Sequence, residues 1–472
     1  MKINNPGRSL AVIVLVFFFW GFVAASNTVL IGLFKEGFEL TQFQSQLVDW
    51  AFYAAYFSGS LVYFLLSVFW RDPLNAIGYK KGLILGLGIS AIGSLGFIPA
   101  ADMQSYPLML TSLFVVGLGF SLQQIVANPY VIALGEPKTG AHRVSLAGGI
   151  NSFGTAIGPL LVSYAIFGNI TGENKFGLGI QGVKAPYLYL AGAFVLVAII
   201  LALSKLPKVT STEKIEKGIG ALKFPQLRWG MLAIFVYVGV EVAIQSNLPE
   251  LMKQPDILGL TSDHTVHFIS LYWGSLMIGR WAGAIAAFNL QTQTRKILLT
   301  VVPLVAYLVL LGVNWIKFNA IGTPEKMIEL YYYFPFVLLM IIATYIGQEK
   351  PARTLMIYSF VALVMMLVGI FTDGKTSVYF FISGGLFCSI MWPCIFSLSL
   401  AGLGKYTNQG SAFLIMMILG GAIIPPLQGA VADYTQDIHF SYWLTVICFA
   451  LILLYAFRVK KHLKDQGVDY DA

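Results

Sequence analysis

Charge is what this sequence has least of. Of its 472 residues, 11% are Asp, Glu, Lys or Arg, against about 25% in an average soluble domain. So few charges cannot cover a water-facing surface, which excludes a soluble globular protein. Cysteine is nearly absent too. Cys388, Cys394 and Cys448 lie within apolar runs and have no metal-ligand or redox spacing, so they read as small buried residues, and a disulfide framework is excluded. The five histidines (His142, His264, His267, His439 and His462) fall in connecting segments, at the ends of apolar runs or in the tail. The sequence contains no phosphate-cradling glycine loop, nucleophile elbow or clustered metal ligands. These absences argue against an enzyme, and no metal or other cofactor is expected.

Hydrocarbon fills the chain instead. It is 57% hydrophobic, with a mean hydropathy of +0.76. Runs of about twenty apolar residues, enough to cross the bilayer core, recur along nearly the whole length. This pattern predicts an all-α polytopic membrane protein, with the lipid bilayer as its first partner. Lys2 and Arg8 precede the run 10–34, which lacks a small-residue cleavage site and so reads as a retained first span. The net charge of +8 does not call for nucleic acid, because the basic residues are scattered through connecting segments.

Fourteen spans are predicted: 9–34, 44–69, 82–101, 107–135, 143–168, 186–206, 229–250, 265–289, 297–316, 329–347, 354–371, 377–401, 409–431 and 441–458. Six fill an N-terminal bundle, residues 1–206. A polar, lysine-rich linker, 207–228, leads into a C-terminal bundle, 229–458, and a tail, 459–472. Alternating sides from a cytoplasmic N-terminus places most lysines and arginines inside, with the C-terminus inside as well. The pair within 297–347 reads as an extra hairpin added to a twelve-span plan. Pro129, Pro159, Pro393, Pro425 and Pro426 lie inside spans and are expected to interrupt helices. The pairs Gly148-Gly149, Gly384-Gly385 and Gly420-Gly421 permit close helix approach.

Polar residues at membrane depth are expensive, and that makes them informative. The stretch 121–154, SLQQIVANPYVIALGEPKTGAHRVSLAGGINSFG, reads as helix, basic turn and helix, with Gln124, Asn128 and Asn151 inside the spans. Asn27 and Thr28 on the first span and Gln245 and Asn247 on the seventh extend this uncharged set. Trp20, Trp50, Tyr237, Trp273 and Trp392 are interleaved with it. Amides both donate to and accept from hydroxyl groups, and indoles stack on the C–H face of a pyranose. The set suits a sugar and does not suit an acid, a cation or a metal. Glu241 lies mid-span, where a carboxyl group serves either as a proton carrier or as a bridge to Arg280. Asp49, near the outer end of the second span, is a second coupling candidate or a residue that reaches the interface. Arg143, in the basic turn, and Arg280, near the cytoplasmic end of its span, are gating candidates. Arg280 reads as snorkelling or holding a gate rather than touching substrate.

ANPYVIALG followed by HRVSLAGGINSFG resembles the signature of the fucose–galactose–proton symporter family of the major facilitator superfamily. LTQFQSQLVDWAFYAAYF, YVGVEVAIQS, WGSLMIGRWAG and MWPCIFSLSLAGLGKYTNQGSAFLIMMILGGAIIPPLQG are similar to the same family. The resemblance covers roughly 10–290 and 354–458. It implies a major facilitator fold, two six-helix bundles around a central sugar site, working by alternating access. In the fucose permeases, an acidic residue in the first span and another in the fourth carry proton coupling and sugar contact. The corresponding positions here are Thr28 and Gln124, neither of which titrates. The amide expected just ahead of NSFG is missing, with Gly148 and Gly149 in its neighbourhood, which implies a wider pocket. The chain is therefore expected to import a monosaccharide or small disaccharide across the cell inner membrane. Three coupling readings stay open: a proton carried by Glu241 with help from Asp49, sodium as co-substrate, or facilitated diffusion with Glu241 as a sugar acceptor. A non-transporting sugar sensor and a lipid-linked glycan translocase are more distant alternatives.

Overall fold

The structure, a computed structural model, describes residues 6–40, 42–69, 72–168, 179–207, 219–260, 266–288 and 290–468. Half of the predicted linker, 208–218, and the end of the tail lie outside these residues, as does the side chain of Thr28. In chain order the helices are α1 (Pro6–Gly37), α2 (Gln42–Phe69), α3 (Pro73–Ile77), α4 (Tyr79–Asp102), α5 (Tyr106–Ala133), α6 (Gly140–Phe167) and α7 (Lys184–Leu203). They continue with α8 (Pro225–Lys253), α9 (Val266–Ala284), α10 (Thr292–Ile321), α11 (Met327–Tyr331), α12 (Phe334–Gly347) and α13 (Pro351–Ile370). The last are α14 (Gly374–Cys388), α15 (Met391–Leu400), α16 (Thr407–Met416), α17 (Gly420–Thr435), α18 (Ile438–Ser441) and α19 (Trp443–Asp465).

Among the described residues, 13 helical segments are long and apolar enough to cross a membrane. The remaining predicted span is α9, which is helical but carries His267, Ser270, Ser275 and Arg280. The inserted hairpin forms as expected, from α10 and from α11 with α12. Its far end is tied down: His267 Nε2 and Lys375 Nζ lie 2.5 and 2.8 Å from the two Glu329 carboxylate oxygens. Tyr333 belongs to this anchor. It is fully buried, and its hydroxyl bonds Ser275 and the Ile382 carbonyl.

The prolines act unequally. Pro129 sits inside a continuous α5, and α6 likewise runs through Pro159. The break between α14 and α15 falls at Ser389–Ile390, with Pro393 just beyond it. A proline cannot donate to the carbonyl four residues back and clashes with it, so Pro393 frees the carbonyl of Ser389. A second break, Met417–Leu419, precedes Gly420-Gly421.

Contacts divide the chain into two compact units. Unit one comprises Met1–Glu136, Phe153–Lys223 and Leu403–Met416; unit two comprises Pro137–Ser152, Phe224–Gly402 and Met417–Ala472. In unit one, α4 packs along α5 and α7, and α2 along α5. A Cβ at Gly119 of α5 would lie 2.2 Å from Ser90 Oγ and 2.4 Å from the Gly86 carbonyl on α4, so only glycine admits that approach. In unit two, α8 packs against α17 and α19, α13 against α14 and α19, and α9 against α10 and α14. Gly279 plays the same part on α9, where a Cβ would fall 1.9 Å from Ser389 Oγ.

Candidate functional site

Unit one holds the neutral amides Asn27, Gln123, Gln124 and Asn128. On α5, Gln123 and Gln124 point to different partners, as adjacent helical positions must. Gln123 is fully buried: its Oε1 accepts from Trp20 Nε1 at 3.0 Å and its Nε2 donates to Ser90 Oγ at 3.1 Å. That pairing consumes Trp20, so this indole serves the packing of α1 rather than a ligand. Gln124 donates to the Tyr56 hydroxyl at 2.9 Å, a partner that the sequence reading did not single out. One turn on, Asn128 Nδ2 bonds the Gln124 carbonyl at 3.0 Å, while its buried Oδ1 has no partner. Asn27 on α1 is 1% exposed, and neither its amide nitrogen nor its oxygen makes a hydrogen bond. Asp49 on α2 is its ionisable neighbour, exposed and within electrostatic reach but outside hydrogen-bond geometry.

Unit two holds an ionic cluster. Arg280 on α9 reaches Glu241 on α8, Nη2 to Oε1 at 3.2 Å, with both side chains largely buried. Its Nη1 donates to Ser152 Oγ at 2.8 Å and to Asn151 Oδ1 at 3.4 Å. Its Nε donates to the Ser389 carbonyl at 3.3 Å, the group released by Pro393. Arg280 therefore does not snorkel to an interface. It joins α8, α6 and the α14–α15 break through one guanidinium, whose planar fork of donors suits several acceptors at once. Tyr272 adds a bond to the Glu241 carbonyl at 2.7 Å. Tyr237, one turn before Glu241 on α8, is 1% exposed. Its hydroxyl lies within the field of Glu241 and Arg280 yet makes no hydrogen bond. Its ring is 6.3 Å from that of Trp392, which stacks on Phe396 at 5.6 Å.

The remaining candidates spread out. Gln245 bonds Ser246 Oγ at 3.1 Å. Asn247 is occupied by the Ala243 carbonyl at 3.0 Å and by Gln428 Oε1 at 3.2 Å. Trp273 is half-buried beside Tyr272, 5.9 Å between rings. Trp50 is 62% exposed. Arg143 is buried, and its Nη1 donates to Thr139 Oγ1 at 2.5 Å. The wider pocket expected at Gly148 and Gly149 is filled. Cβ positions there would meet Arg280 Cδ at 3.4 Å and Trp281 Cδ1 at 2.9 Å, so these glycines make room for side chains of α9. Their bulk, on a different helix, could not be read from the local sequence of α6.

Residues 10–324 match the family model of the Major Facilitator Superfamily. The chain is 34% identical to a glucose/galactose transporter of Brucella abortus over 96% of its own length and 94% of the relative's. It is 26% identical to an L-fucose-proton symporter of Escherichia coli, over 93% and 90% of the two chains. It also resembles a crystal structure of the fucose transporter FucP at a TM-score of 0.73 and 25% identity, covering 97% of this chain and 99% of that one. The fold, the membrane-spanning segments and these matches agree: the chain belongs to the major facilitator superfamily, in its fucose–galactose–proton symporter family.

Proposed function

We propose that this chain is a secondary transporter that imports a sugar, a monosaccharide or small disaccharide, by alternating access of the bundles 1–206 and 229–458. The named activities of its relatives support this reading, and one observation carries it. Asn27 is buried with both amide atoms unpaired, and an unmet buried polar group costs about 1–3 kcal/mol. A ligand rich in hydroxyls that both donate and accept would relieve that cost. Asn128 Oδ1 is a second such vacancy in unit one. Asn27, Thr28, Gln124, Asn128 and Asn151 are proposed as sugar contacts in the first half, with Gln245, Trp273 and Trp392 in the second, whereas Asn247 is held by the Ala243 carbonyl and Gln428. The site calls for no metal or cofactor. The lysine and arginine distribution supports a cell inner membrane orientation with both termini cytoplasmic.

Coupling is assigned to a proton on Glu241, with Asp49 in support. Protonation would neutralise the partner of Arg280, and the guanidinium would then hold Asn151 and Ser152 less firmly. The sugar and the proton would thus act on the same side-chain cluster from different groups. A facilitative uniporter is the second reading, favoured by the Glu241–Arg280 bond itself if it stays closed throughout the cycle.

The test is uptake of a panel of labelled sugars into proteoliposomes with an imposed proton gradient, a sodium gradient or none. Accumulation of one sugar under the proton gradient supports the proposal. Accumulation under sodium alone reassigns the ion, equal uptake without any gradient leaves a uniporter, and no uptake under any condition contradicts transport.

A further inference from the structure

His142, in the first turn of α6, is held between two carbonyl oxygens. Its Nδ1 lies 3.0 Å from the carbonyl of Gly283 near the end of α9, and its Nε2 lies 2.8 Å from the carbonyl of Glu349. A neutral imidazole has one N–H and one lone pair, so it satisfies only one of these acceptors. The lone pair would face a carbonyl oxygen at the other. The imidazolium, with two N–H groups, satisfies both.

The Glu349 carbonyl is presented by an unusual turn. Gln348 and Glu349, between α12 and α13, both have left-handed backbone, with φ of 53° and 59°. Two successive non-glycine residues there are strained, and such strain persists only where the surroundings fix it. The Glu349 carboxylate is paired with Arg295 at the start of α10, 3.1 Å away. The inserted hairpin thus supplies both the turn and the cation that secures it.

We propose that His142 is a proton-binding residue, and that it holds its proton while the first turn of α6 is docked on the turn closing the inserted hairpin. The ionisable groups around it are consistent with this. From the turn come Glu349, paired with Arg295, and Arg353, bonded to Gln348 Oε1 at 2.8 Å. From α15 comes Cys394, lining the same small cavity, and from its own helix comes Arg143. Among the described residues no carboxylate bonds the ring, and the two carbonyls select its charged form. By linkage, docking and proton favour one another, so the docked turn is held more firmly at low pH than at high pH. This use of the proton rests on the transport reading, but the docking does not.

The test is made on the full chain in lipid nanodiscs, without sugar. Nitrogen-15 spectra of labelled histidine, with the His142 signal identified by its loss in His142→Gln, should show both ring nitrogens protonated at pH 6. Hydrogen exchange of the segment 347–354, corrected for the intrinsic effect of pH, should lose protection about tenfold between pH 6 and 8 in the wild type. It should not change with pH in His142→Gln. A neutral ring at pH 6 in the wild type overturns the proposal, as does a loss of protection that persists in the variant. If the variant does not fold, the wild-type nitrogen signals, assigned by elimination, decide alone. Neither readout involves transport, so failure here and failure of the transport reading are separate results.

Discussion

Asn27 in unit one and Arg280 in unit two are both polar side chains at membrane depth, and they stand in opposite conditions. Asn27 is 1% exposed and leaves both amide atoms unbonded. Arg280 distributes its donors over Glu241, Ser152, Asn151 and the Ser389 carbonyl. The first is unmet capacity, costly to the empty protein and useful to a ligand. The second is a bonded cluster, whose cost falls on whatever breaks it. Substrate recognition is therefore sought where bonds are missing, and coupling where breaking a bond has consequences.

The largest expected effect follows from leaving one charge behind. Arg280→Met strands Glu241, and removing one partner of a buried pair costs about 3–5 kcal/mol. Thermal unfolding in detergent should show a large drop in midpoint. The double variant Arg280→Met with Glu241→Gln should recover a substantial part of it. An unchanged midpoint in the single variant would mean the pair is not closed in the membrane.

Next in size is the opposite experiment on the unmet amide. Asn27→Ala should weaken sugar binding about tenfold, as expected for about 1–2 kcal/mol of lost hydrogen bonding, and leave the empty protein as stable as before or more so. Binding calorimetry and unfolding together check this. A variant that loses stability and keeps affinity would reverse the comparison.

The smallest effect is predicted for Asn247→Ala. Its amide is already engaged by Ala243 and Gln428, so stability should fall by about 1 kcal/mol, with less than a threefold change in affinity. A large loss of affinity would show that Asn247 leaves Gln428 to meet the sugar.

Much of this was legible in the chain itself. Apolar run length gave the spans, including the added hairpin, because bilayer thickness fixes helix length. ANPYVIALG and HRVSLAGGINSFG pointed to the family, and the rarity of charge at depth singled out Glu241 and Arg280. In the sequence their union is only one of two readings, since they lie on different helices and sequence spacing does not bring helices together. Which amides are spent was not legible either. Gln123 and Gln124 are neighbours of the same type, yet Gln123 is locked to Trp20 and Ser90 while Gln124 meets Tyr56. Gly148 and Gly149 suggested empty space because glycine shows what is absent and not what a neighbouring helix puts there. His142 and His267 lie at helix starts, where a histidine looks incidental until the acceptors around it are seen.

The assignment of proton coupling to Glu241 is tested by comparing wild type with Glu241→Gln in proteoliposomes, once the sugar panel has supplied a substrate. The wild type should concentrate that sugar under an inward proton gradient. The variant should exchange the sugar across the membrane at a comparable rate but no longer concentrate it. Accumulation by the variant equal to the wild type would contradict the assignment of coupling to the Glu241–Arg280 cluster.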